Sequence, residues 1–223
     1  MELPDHSPVI ILSDIVFFPG TMLPLHIFEP RYREALSDAL ESNRFFSVAQ
    51  RVDGSAHEEA ASVAGLGLIR ASVTNSDGTS NMILQGVARV RLGPPAHERE
   101  YPYYRVFPLE GSAGDPSIAK NLANSARELA LELLEVGASA PPVLLESGES
   151  GNSGAARVVN GERKQFAERL QSIHDPELLG DYISGSLLAC SQQRQEILAT
   201  GDLCKRLEIL NRYISAEISR FRS

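Results

Sequence analysis

Cysteine is scarce in this sequence, and the ligand spacings of common metal sites are missing. The two cysteines, Cys190 and Cys204, fall in predicted apolar helical stripes, and a pair without a surrounding framework predicts reduced core residues rather than a disulfide scaffold. The five histidines are scattered, and neither C-x-x-C nor H-E-x-x-H occurs. We therefore expect no metal ion and no other cofactor.

Long apolar runs and excess positive charge are also absent. No run approaches the ~20 residues that span a bilayer, and the amino terminus lacks a basic segment followed by an apolar one. The formal net charge is −8, which disfavours sequence-independent binding to nucleic acid and binding to an anionic membrane surface. We therefore expect a cytoplasmic, globular protein with neither of these as a partner.

Motifs that mark common active sites are missing too. There is no G-x-x-x-x-G-K-[ST] loop to hold nucleotide phosphates and no G-x-S-x-G nucleophile turn. The three lysines, Lys120, Lys164 and Lys205, fall on predicted polar helix faces. His26 and Glu29 form the one tempting acid–base pair, but a structural histidine and a helix-capping or arginine-paired glutamate fit the pattern better. No catalytic residue is predicted.

The most informative stretch runs from Phe17 to Tyr32. Pro19-Gly20 is a turn dipeptide, because proline presets one central φ and glycine accepts the positive φ that follows. The next residues, 22–28, form an apolar run in which Pro24 cannot donate a backbone hydrogen bond, so they predict a strand at a sheet edge. Pro30 then predicts the start of a helix that runs to about Ser42.

The remainder of the first half is β-compatible. Strands are predicted at 8–12, 45–50 and 103–109, and a long hairpin is predicted from 63–73 and 81–92 around the turn-forming residues 75–80. On its second strand the even-numbered residues from Met82 to Leu92 are expected to face the core, with Gly86 marking a bulge or a close backbone approach. Arg89 and Arg91 are expected on the solvated face, with a small anion site as the alternative.

Apolar residues recur at helical spacing in the second half, which predicts helices there. The composition changes at 111–115, and helices are predicted at 118–136, around 166–173, after the cap Asp175, from a Ser191 cap to 198, and after the cap Asp202. On the 118–136 helix the expected apolar stripe comprises Leu122, Ala126, Leu129, Leu133 and Val136. A flexible insertion is predicted at about 139–161, and its segment 146–154 is expected to be dispensable.

Two separated stretches resemble one known family in the right order. Phe18-Pro19-Gly20, the run Leu23-Pro24-Leu25-His26-Ile27-Phe28 and Glu29-Pro30-Arg31-Tyr32 resemble the opening of the amino-terminal substrate-binding domain of ATP-dependent Lon proteases. Residues 65–92 resemble the hairpin that follows it. The resemblance implies an α+β fold, with a β-rich, PUA-like pseudobarrel at 1–111 and a helical bundle at 112–223.

The same resemblance implies a non-catalytic module that binds protein or peptide. Its partner would be unfolded or extended polypeptide, and its role that of an adaptor in protein quality control or proteolysis beside a separate ATPase or protease. The serine–lysine pair of the Lon protease domain is not recognisable here. The candidate peptide-binding residues are Phe17, Phe18, Met22, Pro24 and His26. Burial in the core is the favoured alternative for the two phenylalanines, and Met22 is expected equally in either place. A hydrolase with an unrecognised site on this scaffold and an RNA-binding PUA-like protein remain alternatives.

Overall fold

The computed structural model describes residues 2–52, 54, 58–96, 99–136 and 160–222. The predicted flexible insertion at 139–161 lies outside these ranges except for its last two residues, and the segment 146–154 lies outside them entirely. The chain divides into two compact units, Met1–Leu109 and Glu110–Ser223. The division predicted at residue 111 is close to this one, but whether the two parts fold separately stays a prediction.

The first unit is a six-stranded sheet with one helix. Its strands are β1 (His6–Leu12), β2 (Met22–Ile27), β3 (Phe45–Gln50), β4 (Val63–Thr74), β5 (Ser80–Pro95) and β6 (Tyr103–Pro108), and its helix is α1 (Pro30–Glu41). The strand order is β2-β5-β4-β3-β1-β6, and β6 also pairs with β5. That last pairing closes five strands on themselves and leaves β2 as an attached edge strand, as Pro24 predicts.

Apolar side chains fill both sides of this sheet. One core lies under α1 and includes Ile10, Phe46, Val48, Ile69 and Leu84. The other includes Val9, Ile11, Ala64, Leu66 and Val90. Consecutive residues of β1 therefore enter different cores, which explains why this strand reads as a continuous apolar run rather than as an alternation.

The even-numbered residues of β5 pack into the interior as predicted, but a bulge divides them between the two cores. Leu66 pairs with Ala88 while Gly67 pairs with Gly86, so Val87 is an extra residue and every later side chain changes face. Met82 and Leu84 therefore pack into the core under α1, whereas Val90 packs into the other. Arg89 is consequently buried, which corrects its assignment to a solvated face, while Arg91 is exposed as expected.

Helix α1 begins where the sequence predicts. Pro30 occupies its first turn, where a missing N–H costs nothing, and Glu29 stands at the cap position. Tyr32, Ala35, Leu36 and Ala39 are buried against the sheet. The Tyr32 hydroxyl accepts a hydrogen bond from the Ile11 backbone N–H at 3.2 Å, which ties the helix to β1.

In its described residues the second unit consists of helices and the segments that connect them. Its helices are α2 (Pro116–Glu135), α3 (Asn160–Ser172), α4 (Pro176–Leu187), α5 (Ser191–Ala199) and α6 (Leu203–Arg222), with α2 packed against α3, α4 and α6. Carboxylate caps act at three of these helices: Asp115 accepts from two backbone N–H groups of α2, Asp175 from the Leu178 N–H, and Asp202 from the Lys205 N–H. The mixed α+β fold is therefore confirmed.

Several details of the helical half differ from the sequence predictions. The buried side of α2 lies partly around the helix from the predicted stripe and contains more alanine than expected. Its residues are Ala119, Ala123, Ala126, Ala130, Leu133 and Leu134. Small side chains let neighbouring helices approach closely, which offsets their smaller apolar area. Ser191 is the first residue of α5 rather than its cap, and Cys190 holds the cap position.

The two cysteines also lie elsewhere than expected. Both thiols are free, as predicted, but Cys190 is exposed and Cys204 is half-buried, so neither is a core residue. Cys190 lies between two helices rather than within an apolar stripe. Separately, none of the helices in the described ranges is long and apolar enough to cross a membrane.

Candidate functional site: the outer face of an edge strand

Three glycines let the loop before β2 lie directly on the β4–β5 hairpin. A Cβ atom on Gly65 would come within 2.1 Å of the Phe17 carbonyl oxygen, and one on Gly86 would come within 2.1 Å of the Phe18 carbonyl oxygen. A Cβ on Gly67 would lie 2.6 Å from the Phe17 ring. Such distances are far below van der Waals contact, so the loop can pack here only because these positions have no side chain.

The turn itself is fixed by backbone hydrogen bonds. Gly20, at φ +75°, donates its N–H to the Gly86 carbonyl at 2.9 Å, and the Gly86 N–H returns a bond of 2.9 Å to the Thr21 carbonyl. The Thr21 hydroxyl donates to the Phe18 carbonyl at 2.6 Å. Pro19-Gly20 therefore forms the turn predicted from sequence, and it delivers the chain into β2 at one defined register.

Phe17 and Phe18 anchor this loop from below. Both side chains are buried, and Phe17 belongs to the core under α1. These two candidate peptide-binding residues are therefore not surface residues. They hold the strand that follows in place from the core side.

Strand β2 alternates strictly between the core and solvent. Leu23 and Ile27 are buried under α1, while Met22, Pro24 and His26 point the other way and are exposed. Phe28 continues the exposed row just beyond the strand. Met22 is 52% exposed and Phe28 is 62% exposed, which is unusual for large apolar side chains. Three of the five candidate residues thus share one surface.

Neighbouring strands extend this apolar surface. Pro24 pairs with Ile83 of β5, and His26 pairs with Asn81, which in turn pairs with Val73 of β4. Both Ile83 and Val73 are exposed. We call this surface the β2 outer face, and we define it by the side chains Met22, Pro24, His26, Phe28, Val73 and Ile83. Phe28, Val73 and Ile83 were not predicted, although alternation from Met22 would have found Phe28.

Polar contacts on the β2 outer face are structural in kind. His26 Nδ1 lies 2.8 Å from the Asn81 side-chain oxygen, and the His26 ring stacks on Phe28 at 6.1 Å between centroids. Glu29 pairs instead with Arg31, whose Nη2 lies 2.8 Å from Oε2. His26 and Glu29 therefore do not form an acid–base pair. His26 contacts Asn81 and Phe28, and Glu29 pairs with Arg31, as a structural histidine and an arginine-paired glutamate would.

Arg31 links α1 to the chain that precedes β4. It contacts the carboxylates of both Glu29 and Glu58, and its guanidinium lies 4.5 Å from the centre of the Tyr32 ring. Its bond to Glu58 is the main cause that raises the pKa of Arg31 above its ordinary value, so the group is a fixed cation. Among the described residues, no cluster of three His, Cys, Asp or Glu side chains could hold a metal ion.

The model of one protein family covers nearly the whole chain. Residues 6–216 match the ATP-dependent protease La (LON) substrate-binding domain. The chain belongs to this Lon substrate-binding domain family. The family predicted from the motifs at 18–32 and 65–92 is thereby confirmed, and the match also includes the helical half.

Curated relatives are Lon proteases from bacteria. A Lon protease 2 of Bdellovibrio bacteriovorus is 23% identical over 224 residues, which cover 98% of this chain and 25% of that protein. A Lon protease of Paraburkholderia phytofirmans is 29% identical and covers 92% of this chain and 24% of its own length. The chain therefore spans about a quarter of the length of the curated relatives that it matches.

Solved structures show the same fold. The N-terminal domain of a Mycobacterium avium complex Lon protease has a TM-score of 0.70 at 18% identity and covers 94% of this chain and 98% of its own. A Lon N-terminal domain protein from Xanthomonas campestris has a TM-score of 0.59 at 19% identity, with 92% and 96% covered.

Proposed function

We propose that this chain binds extended or unfolded polypeptide at the β2 outer face and releases it intact. The observation that carries the proposal is the exposed apolar row of Met22 and Pro24 on β2 and Phe28 just beyond it, because β5 is the one strand that pairs with β2 among the described residues. Membership of a family described as substrate-binding supports polypeptide as the ligand.

The geometry of an edge strand suits an extended client. In the part of the chain that the structure describes, no strand pairs with the side of β2 away from β5. A further strand could therefore pair there, and its alternate side chains would meet the apolar row. Pro24 interrupts the row of N–H donors, which limits uncontrolled pairing between copies of this chain. The surface is therefore suited to modest and reversible capture.

We expect an affinity on the order of micromolar, because a disordered client loses conformational entropy as it is ordered on the protein. The protein would then act as an adaptor in protein quality control or proteolysis. We propose that an ATPase or protease acts on what it captures, in keeping with the Lon proteases whose substrate-binding domain this chain resembles.

The test incubates the purified chain with a fluorescently labelled, chemically unfolded model protein. Anisotropy measures binding, and mass spectrometry measures whether the client remains intact. Met22→Asp and Phe28→Asp place a charge on the apolar row and should each weaken capture by about tenfold, since each removes roughly 1.5 kcal/mol of apolar contact. Circular dichroism should stay unchanged, because both positions are exposed.

Ile118→Asp is the matched control. The Ile118 side chain is 50% exposed, nearly the same fraction as Met22. It lies in the first turn of α2, which belongs to the other unit. The Ile118→Asp variant should bind the client with the same affinity as the unmodified chain. Absence of binding at tens of micromolar, or equal weakening by Ile118→Asp, contradicts the proposal. Client cleavage that is lost in His26→Ala would favour the hydrolase alternative.

A further inference from the structure

A cleft of about 350 Å³ opens in the first unit where α1 ends, away from the residues of the β2 outer face. It lies between the last turn of α1, the start of β1 and the segment that leads into β6. The side chains that give it its chemistry are His6, Asp38, Glu41, Arg99, Tyr101 and Tyr103. Its volume is at the lower end of the range of ligand sites, and it is large enough for one long side chain.

Aromatic rings form one wall of the cleft. The His6 ring stacks on Tyr103 at 5.7 Å with an angle of 18° between the planes, and Tyr101 meets Tyr103 edge-on at 6.0 Å. The Arg99 guanidinium lies 5.9 Å from the Tyr103 ring centre, so this ring already contacts one planar cation. Such faces attract guanidinium groups through the ring quadrupole and by stacking.

The charge balance of the cleft is negative. Asp38 Oδ2 accepts bonds from Arg99 at 2.7 Å and from the Tyr101 hydroxyl at 2.8 Å, so the charge of Arg99 is matched by Asp38. Glu41 adds a second carboxylate. The carboxyl end of α1 contributes partial negative charge, and the last turn of this helix contains no basic residue. The cleft therefore suits a cation better than an anion.

We propose that this cleft binds the guanidinium group of an arginine side chain presented by a polypeptide. The guanidinium stacks against the aromatic wall and pairs with the Glu41 carboxylate. Arginine fits better than lysine because its planar group can stack and pair at the same time. The proposal stands independently of the β2 outer face, since no residue is shared between the two surfaces.

The test titrates Nα-acetyl-arginine amide into the isotope-labelled full chain and follows backbone amide shifts by NMR. We expect saturable shifts at residues around the cleft, with a Kd on the order of millimolar for so small a ligand. Nα-acetyl-citrulline amide has the same shape without the charge, and it should bind at least about tenfold more weakly. Glu41→Gln should weaken arginine binding by about threefold, as expected for an exposed ion pair.

Glu34→Gln is the matched control, because Glu34 is an exposed glutamate of the same helix that does not line the cleft. It should leave the Kd unchanged. Equal binding of the citrulline ligand, equal loss in Glu34→Gln, or shifts that do not saturate by about 50 mM would overturn the proposal. None of these outcomes bears on capture at β2, which is measured with a different ligand.

Discussion

Gly86→Ala should disrupt the first unit through a single methyl group. The new Cβ would lie 2.1 Å from the Phe18 carbonyl oxygen, whereas carbon and oxygen need about 3.3 Å, so the loop must move by more than about 1 Å. Overpacking of this kind costs about 1–3 kcal/mol. Movement also weakens the two 2.9 Å bonds that Gly86 makes with Gly20 and Thr21, at about 1 kcal/mol each.

The combined loss is about 3–5 kcal/mol. With a urea dependence of about 2 kcal/mol per molar, the denaturation midpoint of the chain should fall by about 1.5–2.5 M, as followed by circular dichroism. Client binding should fall as well, because the turn sets the register of β2. Gly180→Ala is the control, since its Cβ would meet only the tip of the Leu207 side chain, at 2.9 Å, inside a helix that favours alanine. A midpoint change below about 0.3 M in Gly86→Ala would refute this account of the turn.

Three further predictions concern single side chains. Tyr32→Phe removes the acceptor of the buried Ile11 N–H and should cost about 1–2 kcal/mol in urea denaturation; no loss would mean that the bond is unimportant. Burial and the hydrogen bond to Asp38 raise the pKa of Tyr101, so this hydroxyl ionises more readily in the unfolded state than in the folded one. The free energy of unfolding should therefore fall as pH rises above about 10, and it should fall less steeply in Tyr101→Phe. Identical pH profiles of the two proteins would contradict this. Asp175→Ala removes the cap of α4 and should cost about 1 kcal/mol, measured by the thermal midpoint; an unchanged midpoint would show that the cap is dispensable.

Local signals were sufficient for the elements around the candidate site. The strand at Phe45–Gln50 was predicted with its observed bounds, and Pro30 predicted the start of α1 because its fixed φ and missing N–H suit a first turn. Pro24 predicted an edge strand for the corresponding backbone reason. For α1 and β2 a property of one proline decides the conformation of its own segment.

Contacts between distant segments were not predictable in the same way. Gly86 indicated a bulge or a close approach, but not that Val87 would reverse the facing of Arg89 and bury it. Alternation assumes an unbroken pleat, and the bulge depends on the partner strand. Similarly, the predicted buried stripe of α2 followed its leucines. The helix mainly buries its alanines instead, because its neighbours approach closely. The burial of Phe17 and Phe18 was favoured by the sequence, but the packing of their loop on the hairpin was not predicted.

Amide hydrogen exchange with and without an unfolded client tests the central claim most directly. The edge of β2 away from β5 should gain backbone partners, so peptides that cover Met22–Ile27 should exchange more slowly when the client is present. The helices α2 to α6 should exchange at unchanged rates. Slower exchange confined to those helices, with β2 unaffected while the client is bound, would contradict the assignment of polypeptide capture to the β2 outer face.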